Sequence, residues 1–133
     1  MKSMRSSSDW LVISGALVAA LGVVFGAFGA HGLRTVIEAS DLAVFETAVR
    51  YQMYHALGLV LTGILGKNYP HQAVRWAGWL LLAGVFLFSG SLYFLVLTGI
   101  RGAGFITPLG GVAFIVGWLS LAHGIFWSYR EDS

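Results

Sequence analysis

Four long stretches without a formal charge set the elements of this chain: Trp10 to Ala30, Tyr51 to Gly66, Trp76 to Ile100 and Gly102 to Tyr129. A helix that crosses a bilayer needs about 20 mostly apolar residues. Three of the stretches reach that length unaided; the second is short, and an amphipathic lead-in from Asp41 extends it. Membrane-barrel strands alternate over about 10 residues, whereas these runs are continuous and longer. In lipid every backbone polar group must be bonded internally, and a helix does so within one segment. The pattern therefore predicts an all-α membrane protein, a left-handed antiparallel bundle of four transmembrane helices. Residues 1–133 form a single membrane domain with spans at about 10–31, 42–66, 71–98 and 108–127, after a polar tail at 1–9.

Between the runs the punctuation is polar. "HGLRTVIEASD" turns the chain after the first span. Its "TVIE" suits a capping box, with Thr35 as cap and Glu38 reaching back, which predicts a short amphipathic surface helix there. Gly66 is expected to stop the second helix. "KNYP" is a tight connection, so the second and third spans are antiparallel neighbours. The glycine-rich "TGIRGAGFI" links the third span to the fourth, and Thr107-Pro108 reads as an N-cap followed by proline in the first turn.

Composition agrees with this pattern. The chain is 57% hydrophobic and 11% charged, with a mean hydropathy of +0.78, against about 25% charged residues in an ordinary soluble domain. The absence of cysteine excludes disulfides, thiol chemistry and cysteine metal sites. A net charge of +2, spread over short loops, offers no nucleic-acid patch. Lys2, Arg5 and "AFGA" resemble parts of a cleaved signal, but a signal's apolar core is about 7–15 residues and this run is longer. With the N-terminus inside, Lys2, Arg5, Lys67, Arg75 and Arg130 lie inside and Arg34, Arg50 and Arg101 outside, which favours N-in/C-in. Trp10, Trp76 and Trp127 then form a belt at the inner boundary.

Small residues recur every seven positions. The first span has Gly15, Gly22 and Gly29, with Ala19 and Gly26 between; the third has Ala77, Gly84, Ser91 and Thr98; the fourth has Gly110, Gly117 and Gly124, with Ala113 and Ser120 between. Lipid gives no hydrophobic reward for helix association, so close backbone approach must supply it. A seven-residue period keeps such a seam facing a partner.

The polar residues of the second span divide by helical angle. Tyr51, His55, Gly58 and Thr62 share an inward stripe. Glu46 and Arg50, four apart with the acid first, form a surface ion pair. His31, Tyr51, Gln52, His55, Ser91, Thr98 and Thr107 make up the candidate polar cluster, with His31 and His55 sharing an outer vestibule. Intramembrane ionisable groups are functional candidates; the alternative is a neutral histidine bonded to a neighbouring helix. Glu46 and His55 stand about 13 Å apart along a helix and cannot share an ion. No metal site is expected, since zinc takes about three or four protein ligands, and no cofactor is expected. Bis-histidine haem through His31 and His55 has no accompanying pocket motif. No nucleophile–histidine–carboxylate set is present, so no catalytic residue is assigned.

"GAFGAHGL", "AVRYQMYHALGL", "LFSGSLYFLVLTG" and "ITPLGGVAFIVGW" together resemble the YgdD-like family of small membrane proteins, to which transmembrane protein 256 looks like a distant relative. The resemblance covers the chain from the first span to the fourth. It implies a multi-pass protein of the bacterial inner (plasma) membrane with four helices and no established activity. Its motifs contain His31, Tyr51, Gln52, His55, Ser89, Ser91, Thr98, Thr107 and Pro108. The expected role is accessory or assembly work through contact with lipid and with other membrane proteins, or with itself as a homo-oligomer. The alternative is a small oligomeric transporter or channel using the His55/Tyr51 stripe.

Overall fold

A computed structural model describes residues 2–131 and residue 133, with side chains from Ser8 onward. Every regular element among the described residues is helical. Helix α1 (Lys2–Phe28) runs directly into a π-helical turn, Gly29–Leu33, and α2 spans Ala39–Asn68. Then α3 (Gln72–Gly84), a second π-helical turn (Val85–Ser89) and α4 (Gly90–Thr98) form one unbroken rod. A 3-10 turn, Arg101–Phe105, leads into α5, Thr107–Glu131. Among the described residues, three helical stretches are long and apolar enough to cross a membrane: Ser8–Leu33, Gln72–Thr98 and Arg101–Glu131. The α2 helix is not among them: Arg50 and Lys67 bound its uncharged run, and Tyr51, Gln52, Tyr54 and His55 lower the hydropathy within it.

Several local expectations are corrected. Helix α1 begins at Lys2, so residues 2–9 are helical rather than a tail. The side chains of Lys2 and Arg5, on which the orientation partly rests, lie outside the described residues. No short helix follows the first span. Thr35 lies in a turn closed by the Val36 and Ile37 amides on the Leu33 carbonyl, at 3.0 and 3.1 Å. Leu33 and Ile37 pack with Phe45, Leu95 and Val96, and that burial draws the segment into a tight turn. Glu38 ends in extended backbone at the start of α2. Gly66 does not stop α2, which continues to Asn68 and closes with the Tyr69 amide on the Leu65 carbonyl at 2.8 Å. Thr107 sits inside the first turn of α5. At the start of α3, His71 is the cap: its Nδ1 accepts from the Ala73 amide at 3.0 Å. Gly99 ends α4 in the left-handed region at φ 74°, a conformation that suits glycine because no Cβ crowds the carbonyl.

Close contacts show the register. A Cβ built on Gly15 would lie 2.8 Å from the Ala56 carbonyl oxygen, and one on Gly63 would lie 2.7 Å from that of Ser8. Gly22 faces Met53 and Gly29 faces Phe45. Low numbers on α1 therefore meet high numbers on α2, and the pair runs antiparallel. The same reversal relates α3–α4 to α5, where Gly124 faces Val74, Gly117 faces Leu81 and Gly110 faces Phe88. The α2 helix lies against the α3–α4 rod, with Gly58 near Leu81 and Gly66 near Val74. Among the described residues, three apolar clusters stack between the helices, centred on Val74–Ala77–Leu121, on Leu59–Leu81–Phe114 and on Phe45–Leu95–Val96.

Candidate functional site

The polar residues expected to cluster fall into separate groups. Gln52 is 4% exposed and bridges two helices. Its Nε2 donates to the Val18 carbonyl of α1 at 2.9 Å, and its Oε1 accepts from the Tyr93 hydroxyl of α4 at 2.5 Å. Beside it the Ser89 hydroxyl, buried in the π turn, donates to the Ala48 carbonyl at 2.7 Å. The π turn places that hydroxyl toward α2: one extra residue per turn rotates Ser89 relative to the α-helical register of α3.

His55 occupies the second group. Its ring lies parallel to Phe114 at 3.4 Å between centroids, with Trp118 at 6.0 Å and Tyr51 at 6.0 Å. Its Nδ1 stands 2.7 Å from the Tyr51 carbonyl, which can only accept, so Nδ1 carries the hydrogen. The link to Tyr51 is through the main chain and ring stacking; the Tyr51 ring itself packs on Phe88 at 4.6 Å. Thr62 is fully buried and returns its hydroxyl to the Gly58 carbonyl at 2.7 Å.

Ser91 and Thr107 form the third group, 2.6 Å apart across α4 and α5. Ser91 also stands 2.9 Å from the Phe88 carbonyl, to which it donates, so the Thr107 hydroxyl supplies the hydrogen between them. This contact occupies the side chain that the sequence suggests as a cap. Thr98 and His31 belong to none of the three groups. Thr98 is exposed and bonds the Phe94 carbonyl at 2.6 Å. His31 is exposed in the first π turn. Gly26 of α1 faces Val49 and Gly15 lies beside Ala56, which puts His55 level with Ala19. His31 is thus about 18 Å further along the helix. The two histidines share no vestibule and cannot ligate one haem.

The charged residues also pair differently. Ion pairs among the described residues join Asp9 to Lys67 at 2.7 Å and Asp41 to Arg101 at 3.0 Å. Glu46 and Arg50 are both exposed, and neither takes part in those pairs. Solvated side chains on one helix gain little by meeting, whereas Asp41 and Arg101 are brought together by the loop before α5. No group of three or more histidines or carboxylates able to hold a metal occurs among the described residues.

Each of the seven seam glycines, Gly15, Gly22, Gly29, Gly84, Gly110, Gly117 and Gly124, faces a neighbouring helix with little or no space for a Cβ. Two more, Gly63 against α1 and Gly78 against Leu11, are equally crowded. Gly63 stands seven residues beyond Ala56, a spacing visible in the sequence; Gly78 has no such signal. Tyr93 and Ser120 are also additions, the latter donating to the Ala73 carbonyl at 2.7 Å.

Residues 25–111 match the family described as "Protein of unknown function (DUF423)". The chain is similar to UPF0382 membrane protein SSP2132 of Staphylococcus saprophyticus, 55% identical over 115 residues, which covers 86% of this chain and 95% of the relative. It is similar to UPF0382 membrane protein YwdK of Bacillus subtilis, 51% identical over 111 residues, covering 83% and 90%. No solved structure matches.

Proposed function

The chain belongs to the DUF423 family of membrane proteins, and on that premise we propose a fully embedded four-helix protein that acts by contact with other membrane proteins. The finer resemblance to the YgdD-like and transmembrane protein 256 groups is part of this reading. All four helices cross, in a left-handed antiparallel bundle. What supports a crossing for α2 is its inverted polarity: Gln52, His55 and Thr62 are buried, while Tyr54, Leu57, Leu61 and Ile64 face outward. At 30 residues α2 is about 45 Å long, more than the hydrocarbon layer requires. Trp10, Trp76 and Trp127 stand at the end that carries Lys67, Arg75 and Arg130, which supports N-in/C-in in the plasma membrane.

The observation that carries the accessory reading is the closed interior. Among the described residues, no side-chain nitrogen or oxygen shut away from solvent lacks a hydrogen-bond partner. Polar groups spent on Val18, Ala48, Ala73 and one another hold the helices together. The seam glycines serve that packing, and the working surface is the outside. Photo-crosslinking residues placed at Leu17 and Val24 on α1 and at Ile115 and Leu119 on α5 provide the test. A discrete adduct to one protein from neighbouring positions on a face is expected; adducts to lipid alone at all four positions would rule the reading out. The second reading, an oligomeric transporter, rests on buried His55 beside Tyr51. It requires flux in liposomes that His55→Ala abolishes while folding is kept.

A further inference from the structure

We propose that the cleft on the outward face of α3, formed by Gln72, Arg75, Trp76 and Trp79, holds the headgroup of an anionic phospholipid. These residues follow the i, i+3, i+4, i+7 spacing of one helical face, and all four are exposed. They line an open cleft of about 330 Å³. The site is independent of the accessory reading and needs only that α3–α4 crosses the bilayer.

The cation in this cleft is available. Lys67 at the same end is neutralised by Asp9 at 2.7 Å, whereas Arg75 has no carboxylate partner among the described residues. A guanidinium presents a planar fork of donors that matches two oxygens of a phosphodiester, and Gln72 adds an amide one turn away. The walls are indoles, which favour the headgroup level of a bilayer. Trp79 is held in place by Trp10, their ring centroids 4.9 Å apart, and Trp10 follows Asp9 of the ion pair. Further along the same face come Ala83, Phe86 and Leu87, all exposed and apolar. A charged and amide-bearing end, an aromatic collar and an apolar track repeat the order of phosphate, glycerol and acyl chain in a phospholipid. An acidic soluble partner would match Arg75 but not the apolar track.

The test uses the full chain in mild detergent, titrated with dioleoyl phosphatidylglycerol, dioleoyl phosphatidylcholine and inorganic phosphate while tryptophan emission and the unfolding temperature are followed. Phosphatidylglycerol is expected to bind about fivefold more tightly than phosphatidylcholine, the worth of one arginine near an anionic surface. Arg75→Gln should remove that preference; Arg75→Lys, which keeps the charge but not the fork, should keep the preference while weakening both lipids; and Arg130→Gln should leave it unchanged. Trp76→Leu, which alters an outward side chain only, should weaken both lipids. Equal binding of the two lipids, an equal response to inorganic phosphate alone, or an undiminished preference in Arg75→Gln would overturn the proposal. Retention of each variant in carbonate-washed membranes separates lost lipid binding from lost insertion.

Discussion

Gly110 and Gly111 are neighbours on α5, yet a methyl group would meet different surroundings at each. At Gly110 it would collide with the backbone nitrogen of Phe88, which cannot step aside; at Gly111 the nearest atom is a ring carbon of Phe88 at 4.0 Å. Gly110→Ala should therefore destabilise by about 1–3 kcal/mol, the usual cost of overpacking. Gly111→Ala should be neutral or stabilise by about 0.5–1 kcal/mol, because alanine loses less backbone freedom in a helix. Thermal unfolding in one detergent compares the pair. The same contrast separates Gly15, which faces backbone atoms of Ala56 and Val60, from Gly22, which faces the flexible Met53 thioether. Gly15→Ala should cost more than Gly22→Ala, and leucine should wedge the helices apart at either. For Gln52 and Tyr93, a double-mutant cycle with Gln52→Leu and Tyr93→Phe should give a coupling of about 0.6 kcal/mol and at most about 1.7 kcal/mol, the average and the maximum of such bonds inside membranes. A coupling near zero would mean that the hydroxyl and the amide are not bonded.

At the scale of the element, the α3–α4 rod depends on its π turn. Ser89, Ser91 and Tyr93 reach three different partners, Ala48, Thr107 and Gln52, from one short stretch. The π turn absorbs one extra residue, so deletion of Leu87 would let α3 and α4 join as a regular α-helix with Ser89, Ser91 and Tyr93 still facing their partners. An alanine inserted after Gly90 would instead turn the rest of α4 by about 100° and part Ser91 and Tyr93 from Thr107 and Gln52. The insertion should therefore lower the unfolding temperature more than the deletion; the reverse order would show that the turn has no such role. The helical stretches of the third and fourth spans were legible, since those uncharged runs begin and end within about five residues of the observed helices, whereas α1 starts at Lys2 and α2 at Ala39, well before their uncharged runs. The π turns were not, because a single extra residue leaves no periodic trace in a run that is apolar on most sides.

For the whole molecule, the reading to be tested is the number of crossings. The chain has no cysteine, so single cysteines report sidedness without background. With four crossings, cysteines replacing Val36 and Gly102 should react with an impermeant reagent on one side of sealed vesicles, and one replacing Asn68 on the other. Labelling of Val36 and Asn68 from the same side would remove α2 from the membrane. Asp41, in the first turn of α2, and Arg101 tie together the two connections expected outside, and the bond is exposed on the arginine side at 66%. Arg101→Gln should therefore cost only about 0.2–1 kcal/mol in stability, as exposed pairs do.

Helix formation and hydropathy are properties of short stretches, so the sequence by itself determined the all-helical architecture, the lipid-suited composition and the small-residue period of the first, third and fourth spans. It also set His55, Gly58 and Thr62 on an inward face, where they are buried, but Tyr51, put on the same stripe, is 37% exposed, and Gln52, not put there, is buried. The pairing of these groups was decided only by the tertiary structure. His31 was parted from His55, Gln52 found Tyr93, Thr107 found Ser91, and Asp41 rather than Glu46 took an arginine. Such partners depend on the register between helices, and register is the outcome of packing summed along whole interfaces. Crowded pairs such as Gly15–Ala56 and Gly63–Ser8 permit one alignment of α1 with α2, and a shift of one turn would drive side chains into backbone.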